Sequence, residues 1–340
     1  GMKMKRLLAV LLAAILILSA AGCAGAPGTD SGSTGDEGAQ ESTPSEPVTI
    51  RVGDLASYEI VKDADEKGFF KEEFEKDNVT IEIKSFQSGP PEVEALAAKD
   101  LDFALMGDMP SVTGVAAGTG IQIISGLLDG THGNGLIARE DAGINTIPDL
   151  KGKKVGVPVG TTAHQLLIKM LEKNGLTSDD IELVNLGAGD IVTSLQSDNI
   201  QAAVTFDPGL SKAVAGGGIK KISDAEGYKL IINVIVGRTE FTEKYPDLTV
   251  RFLKVLQKTV EWRNANFEES LEITANRIGV NKEDIRAALT SMPPVLALDD
   301  EKKQAILETA KYLKDNNLIT KELTVDELFN DTYAKEAGIL

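Results

Sequence analysis

The sequence predicts an α/β fold of two lobes, each a mostly parallel sheet flanked by helices, joined by a hinge of two crossing segments. Between Val48 and Phe206, short apolar or alternating runs recur, each followed by a turn and a helical stretch. That alternation is the mark of parallel sheets covered on both faces. The chain has 340 residues, long enough for two cores. From Asp247 onward it is almost wholly helical in pattern, so the last third returns to the first lobe.

VTIRVG, from Val48, alternates apolar and polar residues as a strand does, and Glu59 to Phe74 reads as a helix. VTIEIKSF is the next strand, Ser88-Gly89-Pro90-Pro91 turns the chain, and Glu92 to Lys99 is helical. LDFALM is a strand that leads into Gly107-Asp108-Met109-Pro110 and another helix. IQIISGLL, GLIAR and KKVGV are further strands. The helix Ala163 to Asn174, the strand IELVNL, the helix Ile191 to Ser197 and the strand AAVTF follow. LTVRFLKVLQKTVEWRN places Leu248, Phe252, Val255, Leu256 and Val260 at helical spacing. The expected partition is residues 48–138 for the first part of lobe 1, 139–236 for lobe 2, and 237–340 for the return and C-terminal helices. Arg139 to Asp149 is one expected crossing and Leu230 to Arg238 the other.

Residues 1–23 read as a leader. Lys3, Lys5 and Arg6 precede an apolar run, Leu7 to Gly22, that is shorter than the about 20 residues a spanning helix needs. It ends Ala20-Ala21-Gly22-Cys23, a pattern that resembles the lipobox of bacterial lipoproteins, with alanine at the usual leucine position. Cys23 is the only cysteine, so lipidation there leaves neither a free thiol nor a disulfide. Residues 24–47 are rich in Gly, Ser, Pro and acids with no aromatic or basic residue, the composition of a disordered tether. The expected location is the outer face of a cell membrane, lipid-anchored, in a Gram-positive cell.

Acids outnumber bases 52 to 35, a net charge of −17. That balance disfavours nucleic acid and anionic membrane surfaces, and any bound anion must be held by local groups. The informative stretch is VGVPVGTTAHQLL. A strand stops at Gly160, Thr161 and Thr162 follow, and His164, one of two histidines, falls in the first turn of a helix. A helix start offers unpaired N–H groups and a partial positive charge, glycine allows close approach, and hydroxyls add donors. Together they can cradle an anion without a formal charge. A plain N-cap is the competing reading of the motif taken alone. Ser88, Gly107 with Asp108, and Asp207 occupy turns of the same form, each preceding a helix. Asp190 is a further helix-start acid, and His132 with Asn134 lies in DGTHGNG.

FQSGPPEVEALAAKDLDFALMGDMPSV, IPDLKGKKVGVPVGTTAHQLLIKMLEKNGL and AAVTFDP carry a family resemblance. From Val48 to the late helices the chain resembles the substrate-binding proteins of ABC importers for sulfonates, nitrate or taurine, and thiamine-pyrimidine precursors, the NMT1/THI5-like family. It is most similar to the aliphatic-sulfonate branch. The resemblance implies the type II periplasmic-binding-protein fold, capture of a small anion or zwitterion by hinge closure, and delivery to a membrane permease by a monomer. It implies Gly160, Thr161, Thr162 and His164 as the sulfonate cradle. Ser88, Gly107 and Asp108 would line the first lobe's side and Asp207 the second's. Asp54-Leu55-Ala56-Ser57-Tyr58 departs from the family's glycine-tyrosine-glutamine loop, which leaves the tail contacts open; Ser57 and Tyr58 in it are candidate ligand residues. An ammonium group would pair with Asp108, Asp190 or Asp207. An aminopyrimidine would need an aromatic sandwich from Tyr58, Phe86 or Phe206, while nitrate or bicarbonate needs only the cradle. An enzyme is the remaining alternative, since a pyrimidine synthase and a sulfinate desulfinase share the architecture. Those use cysteine chemistry, and here Cys23 sits in the leader, so no catalytic group, cofactor or metal is expected.

Overall fold

The computed structural model describes residues 46–340. The leader, Cys23 and the tether before residue 46 lie outside the described residues. The strands in chain order are β1 (Val48–Leu55), β2 (Val79–Phe86), β3 (Phe103–Gly107), β4 (Ile121–Asp129), β5 (Asn134–Arg139), β6 (Lys154–Val157), β7 (Glu182–Asn185), β8 (Ala202–Phe206), β9 (Ile219–Asp224) and β10 (Ile232–Arg238). They form two five-stranded sheets, ordered β2-β1-β3-β10-β4 and β7-β6-β8-β5-β9. The helices of the first half are α1 (Ile60–Glu66), α2 (Phe69–Phe74), α3 (Gly89–Ala97), α4 (Asp108–Ala116), α5 (Thr162–Lys173), α6 (Ala188–Gln196) and α7 (Gly209–Ala215). After β10 come α8 (Thr239–Lys244), α9 (Pro246–Ala265), α10 (Phe267–Ile278), α11 (Lys282–Ser291), α12 (Asp300–Asp315), α13 (Val325–Leu328) and α14 (Thr332–Glu336).

Each sheet has a parallel half and an antiparallel half. β1 runs parallel to β2 and β3, and β6 runs parallel to β7 and β8. β10 runs antiparallel to β3 and β4, and β5 antiparallel to β8 and β9. In β3, Phe103 and Leu105 pack into one core cluster while Ala104 and Met106 pack into another on the opposite face. This is the two-fold side-chain alternation of a strand buried on both sides. The helix expected over Glu59 to Phe74 is two helices, because Gly68 adopts φ +76° between them.

The chain passes between the sheets earlier than the sequence pattern places it. GLIAR pairs inside the second sheet, as β5, because Leu136 and Ala138 find their partners in β8 and β9. LIINVIVGR supplies β10 of the first sheet. The two passages are therefore residues 130–133 and 225–231. They are stitched together: Gly130 N–H donates to Ile231 O at 2.8 Å and Ala225 N–H to Thr131 O at 3.1 Å. The Ile231 N–H also donates to Thr131 Oγ1 at 3.0 Å. Among the described residues no helix is long and apolar enough to cross a membrane.

Candidate ligand-binding site

Three helix starts meet where the carboxyl ends of the two sheets face each other. Ser88 and Gly89 open α3, Gly107 caps α4, and Thr161 and Thr162 open α5. They line one cavity of about 30 Å³ together with Leu55, Ser57, Tyr58, Asn134, Phe206, Asn233 and Met292. The first N–H groups of each helix have no intrahelical acceptor and carry a partial positive charge. No lining residue bears a formal charge. The cavity thus combines converging helix dipoles, five hydroxyls and two amides, with an apolar wall of Leu55, Phe206 and Met292.

The hydrogen bonds decide which side chains can serve a ligand. Among the described residues, the hydroxyls of Ser57 (buried) and Ser88 (half-buried) have no hydrogen-bond partner, and both face the cavity. Asn134 gives one N–H to Gly130 O at 2.8 Å, which leaves its second. The Asn233 Oδ1 accepts from the Tyr58 hydroxyl at 2.8 Å, so its amide N–H₂ remains. Burial, and then the nearby carboxylates of Glu92, Asp54 and Asp108, hold the Tyr58 phenol well above its ordinary pKa. Tyr58 is a neutral wall and a brace for Asn233.

Of the expected ligand residues, Ser57, Tyr58, Ser88, Gly107, Thr161 and Thr162 line the cavity and Gly160, His164, Asp108, Asp207, Asp190 and His132 do not. Thr161 donates its hydroxyl proton to Pro158 O at 2.6 Å, and Thr162 donates its own to Asp108 Oδ1 at 3.0 Å. A hydroxyl has one proton, so α5 offers a ligand its backbone N–H groups and not its threonine protons. His164 turns back onto its own loop, where Nδ1 accepts the Gly160 N–H at 3.3 Å, and burial lowers its pKa. Gly160 is needed for the turn, at φ +81°.

The acids are placed elsewhere. Asp108 is wholly buried behind the cavity against Lys229. Asp207 accepts from the Ser211 N–H at 2.7 Å and the Ser291 hydroxyl at 2.6 Å. Asp190 is exposed at the start of α6. His132 is an exposed group on a separate groove, 3.1 Å from Asp224, which raises its pKa. The ligand atoms of His132, Asp224 and Glu226 lie within 4.8 Å of one another.

Asn233, Met292 and Leu55 were not expected. Asn233 had a legible signal, a lone amide inside the apolar run LIINVIVGR. Met292 had none, because it is brought in by the chain leaving α11.

A family model described as NMT1/THI5 like matches residues 61–270. A Bacillus subtilis protein named "Putative aliphatic sulfonates-binding protein" is 31% identical over 98% of this chain and 97% of its own length. The taurine-binding periplasmic protein of Escherichia coli is 27% identical over 80% of this chain and 88% of its own. The fold is similar to that of the alkanesulfonate-binding protein SsuA from Xanthomonas axonopodis pv. citri bound to MOPS. The TM-score is 0.79 at 20% identity, covering 85% of this chain and 100% of that one.

Proposed function

The chain belongs to the NMT1/THI5-like family, and from that premise we propose that it is the extracellular solute-binding subunit of an ABC importer, taking a short alkanesulfonate. The observation that carries this is the cavity where three helix starts converge without a formal charge. Such a site suits a weakly basic anion with several acceptor oxygens, each reachable by a different N–H or hydroxyl. Its volume, about 30 Å³, is a few times what one water needs. That favours a compact head with a short tail against Leu55 and Met292. Cys23 as a lipid anchor, residues 24–47 as the tether, and residues 130–133 with 225–231 as the hinge complete the proposal.

The same geometry ranks the alternatives. A taurine ammonium needs a carboxylate; no lining residue carries one, and the expected partners Asp108 and Asp207 are engaged by Lys229 and Ser291. An aminopyrimidine needs two facing rings. Tyr58 and Phe206 line the cavity and Phe86 does not, but no lining residue offers the carboxylate that the ring amine would need. An enzyme of the cysteine type would need its thiol at the cavity, and the single cysteine, Cys23, falls in the segment read as a leader.

The test is a thermal-shift panel of ethanesulfonate, longer alkanesulfonates, taurine, nitrate and an aminopyrimidine. A ligand at 100 times its Kd adds about 2.7 kcal/mol to stability. Ethanesulfonate is expected to give the largest shift and taurine a smaller one. A shift with the aminopyrimidine alone would reject the anion cradle.

A further inference from the structure

Behind the cavity lies a buried polar cluster that touches both halves of the molecule and reaches the cavity wall only through Thr162. Asp108, at the start of α4, is fully buried, and the Lys229 side chain is 4% exposed. Lys229 Nζ donates to Asp108 Oδ2 at 2.6 Å and to Thr309 Oγ1 at 2.7 Å. The Thr309 hydroxyl, on α12, donates to the same Oδ2 at 2.6 Å. The other oxygen, Oδ1, accepts the Thr162 hydroxyl at 3.0 Å. Asp108 and Thr309 belong to elements packed on the first sheet, Thr162 begins a helix of the second, and Lys229 lies in a passage between them.

Resting on the reading of the cavity as the anion site, we propose that Asp108 is a positioning residue: charged, clamped by Lys229 and Thr309, it holds the start of α5 in place through Thr162 and so sets ligand affinity without touching the ligand. Gly107 fits this role. A Cβ there would sit 2.3 Å from Thr162 Oγ1, so only glycine lets α5 approach. The charge balance fits as well. An uncompensated carboxylate beside two helix starts would repel an incoming anion, and Lys229 cancels it at 2.6 Å. Bond direction separates this role from direct ligation. With its proton on Asp108, the Thr162 hydroxyl can only accept, whereas an anion needs donors.

The experiment is a double-mutant cycle on the full chain with ethanesulfonate as probe, reading Kd, the dissociation rate and the ligand-free radius of gyration by X-ray scattering. Thr162→Val and Asp108→Asn are each expected to raise Kd about tenfold, through faster dissociation. The double variant is expected to be no worse than either single one. Thr162→Ser, which keeps the proton, is expected to rescue. Thr309→Val, which leaves the ion pair intact, is expected to give a smaller rise and stands in for Asp108→Asn should that variant not fold. Each weakened variant is expected to have a larger ligand-free radius than wild type. Additive effects, or Asp108→Asn binding as tightly as wild type, would overturn the proposal, since a directly ligating Thr162 would not need Asp108. Should wild type ignore ethanesulfonate, the sulfonate reading falls. The radius still judges the clamp: expansion in Thr162→Val supports it, and an unchanged radius rejects it.

Discussion

The starts of α4 and α6 look alike in sequence and fare differently in the fold. Each follows a strand and a glycine with an aspartate in the first helical turn, Gly107-Asp108 and Gly187-Ala188-Gly189-Asp190. Asp108 is fully buried with three side-chain partners, while Asp190 is exposed. The cause is strand position. β3 is the central strand of its sheet, so its helix start meets α5 in the middle of the cleft. β7 is an edge strand, and its helix start reaches only the rim, where a Cβ on Gly189 would come 3.4 Å from Gln87. A helix-start acid is therefore left exposed at the rim and becomes a clamp at the centre. What distinguishes them is the order of strands in the sheet, which no local motif states.

The sharpest way to test the contrast is truncation. Asp108→Ala leaves the buried Lys229 without its carboxylate, and removing one partner of a buried pair costs about 3–5 kcal/mol. Asp190→Ala, by contrast, should stay within about 0.5 kcal/mol of wild type. Chemical denaturation of the two variants checks this, and equal losses would break the comparison. The glycines preceding the helices give the next effect. Gly107→Ala should cost about 1–3 kcal/mol by overpacking against Thr162, with weaker binding. A Cβ on Gly187 would meet nothing closer than Asp190 Oδ2 at 3.9 Å, so Gly187→Ala should bind and melt as wild type does.

Glu92, in the first turn of α3, sharpens the comparison further. It is as buried as Asp108, but neither carboxylate oxygen has a hydrogen-bond partner. Burial, with Asp54 nearby, holds its pKa well above the ordinary 4.5. A pKa raised by folding means that the native state binds the proton more tightly than the unfolded chain. The stability from that proton is complete below about pH 4.5 and declines as pH rises towards the native value. Glu92→Gln, which cannot ionise, is expected to remove that decline. The difference between variant and wild type in urea should then grow in the variant's favour with pH, and a difference flat from pH 5 to 9 would contradict it.

The sequence by itself determined the α/β class, the helical last third, and the turns that supply the cavity. Hydrophobic period and turn residues are local, and they placed Ser88, Gly107, Thr161 and Thr162 at helix starts, where the structure has them. Ser57 and Tyr58 were found through the loop after β1. Only the tertiary structure decided what each polar group is free to do. The Thr161 and Thr162 protons go to Pro158 and Asp108, His164 folds back on Gly160, and Asp207 is taken by Ser211 and Ser291. Thr162–Asp108 joins residues 54 positions apart and Ser291–Asp207 residues 84 apart. Residue type says that a group can donate or accept. Which partner uses that capacity depends on which strand ends meet across the cleft, and that follows from strand order and the two passages of the chain.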